Sequence, residues 1–372
     1  MAVKNLSNAK KAKNDEFYTQ MNDIATELYH YRHHFVGKKI FLNCDDPRTS
    51  NFWQYFELNF DELKLEKLTS THYDPDEPTY KLEMIRGVDV NGDGIMDKHD
   101  IVKTPLLGNG DFRSAECIEL LKEADIVITN PPFSLFREYI SQLMEYEKKF
   151  IVLGNMNAIT YKEVFPLIKD NLIWAGYGFN LSMIYKTPYV NELEANRKFV
   201  ISHGYDPDDG YVKVPAVCWF TNLDIEKRHD KMTLWKDYED NKEDYPQYDN
   251  YNAIEVGKVS EIPRDYYGVM GVPITFLSSH SPEQFKILGL SQKVGLGLHS
   301  TKKYDDYKEM RPDGTPTGAS GKKMNGNPVL SGMPKRGNYY INDKAETAYS
   351  LYARIFIQRV DQPEEPKKGD EE

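Results

Sequence analysis

The chain predicts an α/β protein, a mostly parallel sheet covered by helices, followed by a C-terminal region of different character. Three observations carry this. Short apolar runs at Lys39-Ile40-Phe41-Leu42, Ile126-Val127-Ile128-Thr129 and Phe150-Ile151-Val152-Leu153 are hydrophobic almost throughout, as strands covered on both faces are. Between them lie stretches of helical spacing from near Ser50 through Phe56, at 115–123 and at 135–147. From 295 to 337 the chain turns Gly-rich and basic.

Composition bounds the rest. The 372 residues suffice for one large core or two domains, and 40% of them are apolar, so the chain is globular. No apolar run reaches membrane-span length. Residues 1–13 are polar and Lys-rich without the apolar stretch of a secretory signal, and read as a loose arm. Cys44, Cys117 and Cys218 are too scattered for a disulfide framework or a zinc site, and suit a reducing cytoplasm.

In chain order, Asp15-Glu16-Phe17-Tyr18-Thr19-Gln20 precedes a helical pattern through Ile24, Leu28 and Tyr31. The strand at 39–42 runs into Asn43-Cys44-Asp45-Asp46-Pro47-Arg48-Thr49-Ser50-Asn51, and a helix carrying Phe52, Trp53, Tyr55 and Phe56 starts near Ser50. Polar groups between a strand end and a helix N-terminus form a seat for a polar ligand. A second strand region spans 60–68. Residues 73–105 form an excursion. Within it Asp89, Asn91, Asp93, Asp97 and Asp100 are spaced like a calcium loop, but the last ligand is Asp and the flanks alternate like strands, so Asn91-Gly92 and Asp93-Gly94 read as a hairpin turn, with calcium binding as the alternative.

The strand at 124–129 then meets Asn130-Pro131-Pro132-Phe133. The prolines stop the ladder just past the strand's carboxyl end, where open α/β sheets bind their ligands. The Asn130 side-chain oxygen and the Pro131 carbonyl are two rigid acceptors, able to grip both hydrogens of an exocyclic amino group. Phe133 offers a face for stacking on a base. Further on, 150–153 reads as a strand, 159–168 as a helix, 172–178 as a strand and 212–222 as a late strand of the same sheet. Residues 185–207 read as a loop over the site and 224–267 as a charged connector.

These stretches, with Gly110-Asp111-Phe112, Gly268-Val269-Met270-Gly271-Val272-Pro273 and Arg354-Ile355-Phe356-Ile357, resemble the EcoRI-type N6-adenine DNA methyltransferase family from about Asn14 to Arg359. The resemblance implies a Rossmann-like methyltransferase sheet in residues 14–223, a target-recognition region in 268–360, and S-adenosyl-L-methionine as cofactor. It implies that Asn130, Pro131, Pro132 and Phe133 are catalytic. It places Phe17, Tyr18 and Thr19 at the methionine end of the cofactor, Asp45 at its amino group with Asn43, Cys44, Ser50 and Asn51 around it, and Asp111 and Phe112 at its adenine. Most methyltransferases carry a Gly-rich loop after the first strand. This chain has none there, and Thr69-Ser70-Thr71 stands where a ribose-binding carboxylate is expected. Other amino acceptors (cytosine N4, RNA, a protein glutamine) and an inactive DNA-binding core are the alternative readings.

The net charge of −11 argues mildly against nucleic acid. The charge is unevenly spread, however. The tail 361–372 is acidic and reads as disordered, whereas Lys302, Lys303, Arg311, Lys322, Lys323, Lys335 and Arg336 form a local basic set suited to DNA phosphates. The implied partners are double-stranded DNA and a separately encoded restriction endonuclease, with no membrane.

Overall fold

The computed structural model describes residues 18–94, 96–186, 194–291 and 297–361. The chain divides into two compact units, residues 1–164 with 173–225, and residues 165–172 with 226–372.

The first unit is built on one sheet. Its strands among the described residues are β1 (Tyr18–Thr19), β2 (Lys39–Leu42), β3 (Lys67–Thr71), β4 (Tyr80–Ile85), β5 (Val102–Pro105), β6 (Ile126–Thr129), β7 (Lys149–Asn155), β8 (Trp174–Ala175), β9 (Leu181–Lys186) and β10 (Tyr211–Thr221). They lie in the order β1-β9-β10-β7-β6-β2-β3-β4-β5, with β8 paired to β10. The central four, β7-β6-β2-β3, run parallel, and antiparallel strands extend them on both sides. The late strand anticipated at 212–222 is β10, beside β7.

Helices cover both faces because the buried strands are apolar on both. Ile40, Leu42, Leu68, Ile126, Ile128, Ile151 and Leu153 share one core cluster with the Met21–Leu28 and Asn51–Leu58 helices. From the latter Phe52, Trp53, Tyr55 and Phe56 turn inward at helical spacing. In the Phe136–Glu145 helix the buried residues are Phe136, Tyr139, Ile140 and Leu143. Gly154 lets this helix close on β7, since a Cβ there would stand 2.6 Å from the Phe136 ring. Each fully buried Phe or Leu contributes roughly 1.5–3 kcal/mol to holding these layers together.

Some elements differ from the sequence expectation. The second strand is Lys67–Thr71, so Thr69, Ser70 and Thr71 lie within it. Phe60, Leu63 and Leu65 are buried from a turn, which imitated a strand's apolar pattern. Residues 159–168 are not one helix. A 3₁₀ segment spans Met156–Thr160, and an α-helix starts afresh at Phe165–Lys169, where Pro166 can only open a helical segment. Of 172–178 only Trp174–Ala175 is regular strand, and beyond it Gly176 N donates to the Trp219 carbonyl at 2.8 Å and the Gly178 carbonyl accepts Trp219 N at 3.0 Å. The stretch 185–207 contains a helix, Glu194–Ser202, while 187–193 lies outside the described residues.

Residues 89–100 join β4 and β5 as a hairpin. The Asp89 carboxylate accepts Gly92 N at 2.6 Å and Gly94 N at 2.8 Å, and Asp100 accepts Val90 N at 2.8 Å and Asp97 N at 3.0 Å. Among the described residues no cluster of three or more His, Cys, Asp or Glu has metal-holding geometry.

The second unit holds two antiparallel-rich sheets. One contains β11 (Ile254–Glu255), β12 (Met270–Pro273), β13 (Phe285–Leu290) and β19 (Arg354–Arg359), in the order β11-β12-β19-β13. The other contains β14 (Lys308–Met310), β15 (Pro316–Ser320), β16 (Val329–Ser331), β17 (Tyr339–Ile341) and β18 (Thr347–Ser350), in the order β15-β14-β17-β18-β16. Residues 226–267, which composition presented as a connector, belong to this unit, where Tyr245, Tyr248 and Tyr251 are buried.

Candidate active site

Strand order locates the site. After β2 the chain adds β3 on one side, then returns through β6 on the other, so the carboxyl ends of β2 and β6 flank a topological switch point. Such a crevice is where open α/β sheets bind ligands. Asn43, Cys44 and Asp45 leave β2 there, and Asn130 and Pro131 leave β6.

Asp45 joins the two strand ends. Its carboxylate accepts a short hydrogen bond from the Thr129 hydroxyl, a long one from Asn130 N at 3.4 Å, and one from Ser50 Oγ at 3.0 Å. Ser50 also accepts Phe52 N at 3.0 Å and so caps the Asn51–Leu58 helix, an arrangement worth about 1 kcal/mol. Ser70 Oγ, from β3, donates to Asp45 O at 2.6 Å. Burial pushes the Asp45 carboxyl up to about 6, against the pull of the hydrogen bonds from Thr129, Ser50 and Asn130.

Thr19 ties the N-terminal segment to the same place. Its hydroxyl accepts Asn130 Nδ2 at 3.2 Å, and its carbonyl accepts Asn51 Nδ2 at 2.6 Å. The Asn130 amide nitrogen is thereby turned to Thr19. Tyr18 pairs with Lys186 through its backbone in β1, and Phe17 lies outside the described residues. Asn43 is buried and accepts a short hydrogen bond from the Tyr139 hydroxyl, while its Nδ2 has no partner among the described residues. The Cys44 thiol is pushed well up by burial and stays neutral. Pro131 is buried, and Phe133 opens a 3₁₀ turn, half-buried, just before the Phe136–Glu145 helix.

The loop before the Ala115–Glu123 helix is fixed by Gly110. Its φ is +75°, and a Cβ there would stand 2.1 Å from the His72 carbonyl oxygen at the end of β3. Phe112, next in line, is buried edge-on to Tyr139 with ring centroids 5.1 Å apart. Arg113 grips Asp111 through Nε at 2.8 Å and Nη2 at 2.6 Å and holds its carboxyl below the usual range. With Arg113 N also on Oδ1, about one of the carboxylate's four acceptor directions stays for a ligand.

Several residues of this cluster had no motif of their own. Thr129 and Tyr139 act on Asp45 and Asn43 from elsewhere in the fold. His72 meets Asp46 at 3.3 Å, and Arg48 contacts both Asp46 at 3.0 Å and the His72 ring at 3.1 Å. The only signal in the sequence was a polar residue, Thr129, ending an otherwise apolar strand.

In the second unit Lys302 is bound to Asp249 at 2.7 Å, Lys323 lies 3.5 Å from Glu309, and Arg311 donates to Thr315 Oγ1 at 3.0 Å within a hairpin. Lys303, Lys322, Lys335 and Arg336 are exposed.

The family model for the adenine-specific methyltransferase EcoRI matches residues 5–360. The chain belongs to this family. It is 46% identical over 302 residues to the type II methyltransferase M.EcoRI of Escherichia coli, covering 78% of this chain and 90% of that one. It is 42% identical over 289 residues to M.MpnI of Mycoplasma pneumoniae, covering 75% and 83%, and 38% identical over 282 residues to M.MgeORF184P of Mycoplasma genitalium, covering 75% and 84%. No solved structure matches the chain. As a member of the EcoRI family it is a site-specific DNA adenine methyltransferase, and its substrate is DNA. Where a glycine loop would bring backbone to a ligand, this member presents Asn43, Asp45 and Ser50 side chains.

Proposed function

We propose that the chain methylates N6 of an adenine flipped out of a specific duplex sequence, using S-adenosylmethionine. The observation that carries the reading is the meeting of Asp45, at the end of β2, with Thr129 and Asn130, at the end of β6, in the switch-point crevice. The donor set fits the cofactor. A half-buried carboxylate suits its ammonium, and the buried Asn43 Nδ2 is a donor in need of an acceptor such as its carboxylate. When bound, S-adenosylmethionine supplies an electrophilic methyl sulfonium. No side chain with a matched pKa is then required, and positioning accounts for the rate.

The chain's residues do that positioning. Adenine N6 lies inside the stack, so the base must leave it. Asn130, its amide nitrogen held by Thr19, presents its oxygen to the amino group, and the Pro131 carbonyl is the second acceptor. Two accepted hydrogens draw the nitrogen lone pair out of conjugation with the ring. Phe133 stacks on the base. Thr19, Asn43, Asp45, Ser50 and Asn51 hold the amino-acid end of the cofactor, Phe112 packs against its adenine, and Asp111 accepts from the adenine amino group. The basic residues of the second unit contact phosphates. The type II names of the relatives support a restriction–modification role with a separately encoded endonuclease. Its DNA substrate and its three unpaired thiols favour the cytoplasm.

Tritium transfer from labelled S-adenosylmethionine to mixed-sequence duplex DNA, followed by nucleoside analysis, tests the reading. Label is expected in N6-methyl-2′-deoxyadenosine. Asn130→Ala should lower transfer at least 1,000-fold, an effect of about 4 kcal/mol on the barrier, while cofactor binding stays within about threefold. Near-normal turnover in that variant would refute the assigned grip.

A further inference from the structure

We infer that Thr129 is a positioning residue that couples the cofactor seat to the target-amine grip, through the single carboxylate of Asp45 that both share. The inference rests on the proposed function above. Thr129 is fully buried as the last residue of β6, and its hydroxyl donates to Asp45. The next residue, Asn130, gives its backbone N–H to the same carboxylate at 3.4 Å. On its other side that carboxylate accepts Ser50 Oγ at 3.0 Å, and Ser50 caps a helix. Asp45 is thus held in one orientation by donors from two elements. A cation placed on it by the cofactor would tighten the carboxylate that fixes the first residue of the Asn130-Pro131 loop. A β-branched apolar residue would serve the fold equally well at this buried strand position, as Val127 does two residues earlier. The hydroxyl is therefore there for Asp45.

The charge environment makes the coupling readable. The titratable groups facing Asp45 are Asp46 and Cys44 on its own loop and Tyr139 from the Phe136–Glu145 helix. Burial keeps the thiol and the phenol neutral, and Asp46 is tied to Arg48 and His72. Burial raises the Asp45 carboxyl to about 6, so its ionisation changes between pH 5 and 7. A cationic ligand needs its carboxylate form, so affinity should fall up to tenfold per pH unit below about 6. Removing the Thr129 donor raises the carboxyl further and moves that midpoint up.

The test uses the full chain with S-adenosylhomocysteine, which retains the ammonium, for binding, and S-adenosylmethionine with methylatable duplex DNA for turnover. In Thr129→Val, which keeps the core volume, the pH midpoint of binding should rise by about half a unit or more. Its kcat should fall about tenfold, with affinity at pH 8 nearly unchanged. Thr129→Ser should restore both. Asp45→Asn should flatten the pH profile, which keeps the inference decidable if Thr129→Val unfolds in a thermal melt. An unshifted midpoint with normal kcat in Thr129→Val, failure of Thr129→Ser to rescue, or a wild-type pH profile in Asp45→Asn would each overturn the coupling. Absence of label on adenine with wild-type protein would remove the functional reading instead, and the binding profiles would still decide the role of Thr129.

Discussion

Gly110 shows how narrowly the site is built. It adopts φ +75°, and an added Cβ would fall 2.1 Å from a backbone oxygen that cannot rotate away. Gly110→Ala therefore carries both the left-handed cost, about 1–2 kcal/mol, and a displacement of the loop leading to Asp111 and Phe112. Thermal melting should drop by roughly 4 °C or more, and cofactor affinity should fall with it. A variant that melts and binds like the parent would show that the loop closes on His72 in another way. Much of this site was legible beforehand, because Asp45, Ser50, Asn130 and Phe112 lie in short contiguous stretches whose chemistry is local. What was not legible are the pairings across the fold. Thr129 reaches Asp45 over 84 residues of sequence and Tyr139 reaches Asn43 over 96, and only the parallel order of β2 and β6 brings them together.

At the scale of elements, the buried parallel strands were readable because they are short runs apolar almost throughout, and the helix at Ala115–Glu123 because its apolar residues recur at helical spacing behind the Ser114 cap. The second strand was misplaced because Phe60, Leu63 and Leu65 bury apolar side chains from a turn, and a periodicity argument cannot tell a buried turn from a strand. The β4–β5 hairpin is the sharper case. Its acidic residues are spaced like a calcium loop, yet Asp89 and Asp100 each accept two backbone N–H groups, and the Asp97 carboxylate accepts His99 N at 2.7 Å. These bonds brace the hairpin, and among the described residues no three acidic groups come together as metal ligands would. We expect the thermal midpoint to be the same in millimolar calcium and in chelator, and isothermal titration to give no heat of calcium binding. A calcium-dependent rise in the midpoint would reinstate the loop as a metal site.

For the molecule as a whole, the question is how a chain of net charge −11 holds a polyanion. By composition the seven basic residues singled out for DNA phosphates look equivalent, and the structure separates them. Lys302 is paired with Asp249, whose carboxylate also accepts Tyr304 OH at 2.7 Å, and Lys323 faces Glu309. Arg311 braces its own hairpin, with Nη1 on the Pro316 carbonyl at 3.0 Å. Lys303, Lys322, Lys335 and Arg336 are exposed and form no ion pair among the described residues. Cations already neutralised by a fixed acid release few DNA counterions, so the four exposed ones should dominate the salt dependence. Replacing Lys303, Lys322, Lys335 and Arg336 together by Ala should reduce the slope of log K against log salt by about 0.9 for each phosphate no longer neutralised, up to roughly 3–4 in total. Cofactor binding, proposed for the first unit, should not change. Lys302→Ala should behave differently, lowering the melting temperature through the unpaired Asp249 while leaving the slope nearly intact. If the quadruple variant keeps the parent's slope, the DNA is held elsewhere on the chain. If Lys302→Ala alone lowers it by a full unit, the Asp249 pair opens on binding and Lys302 joins the phosphate-binding set.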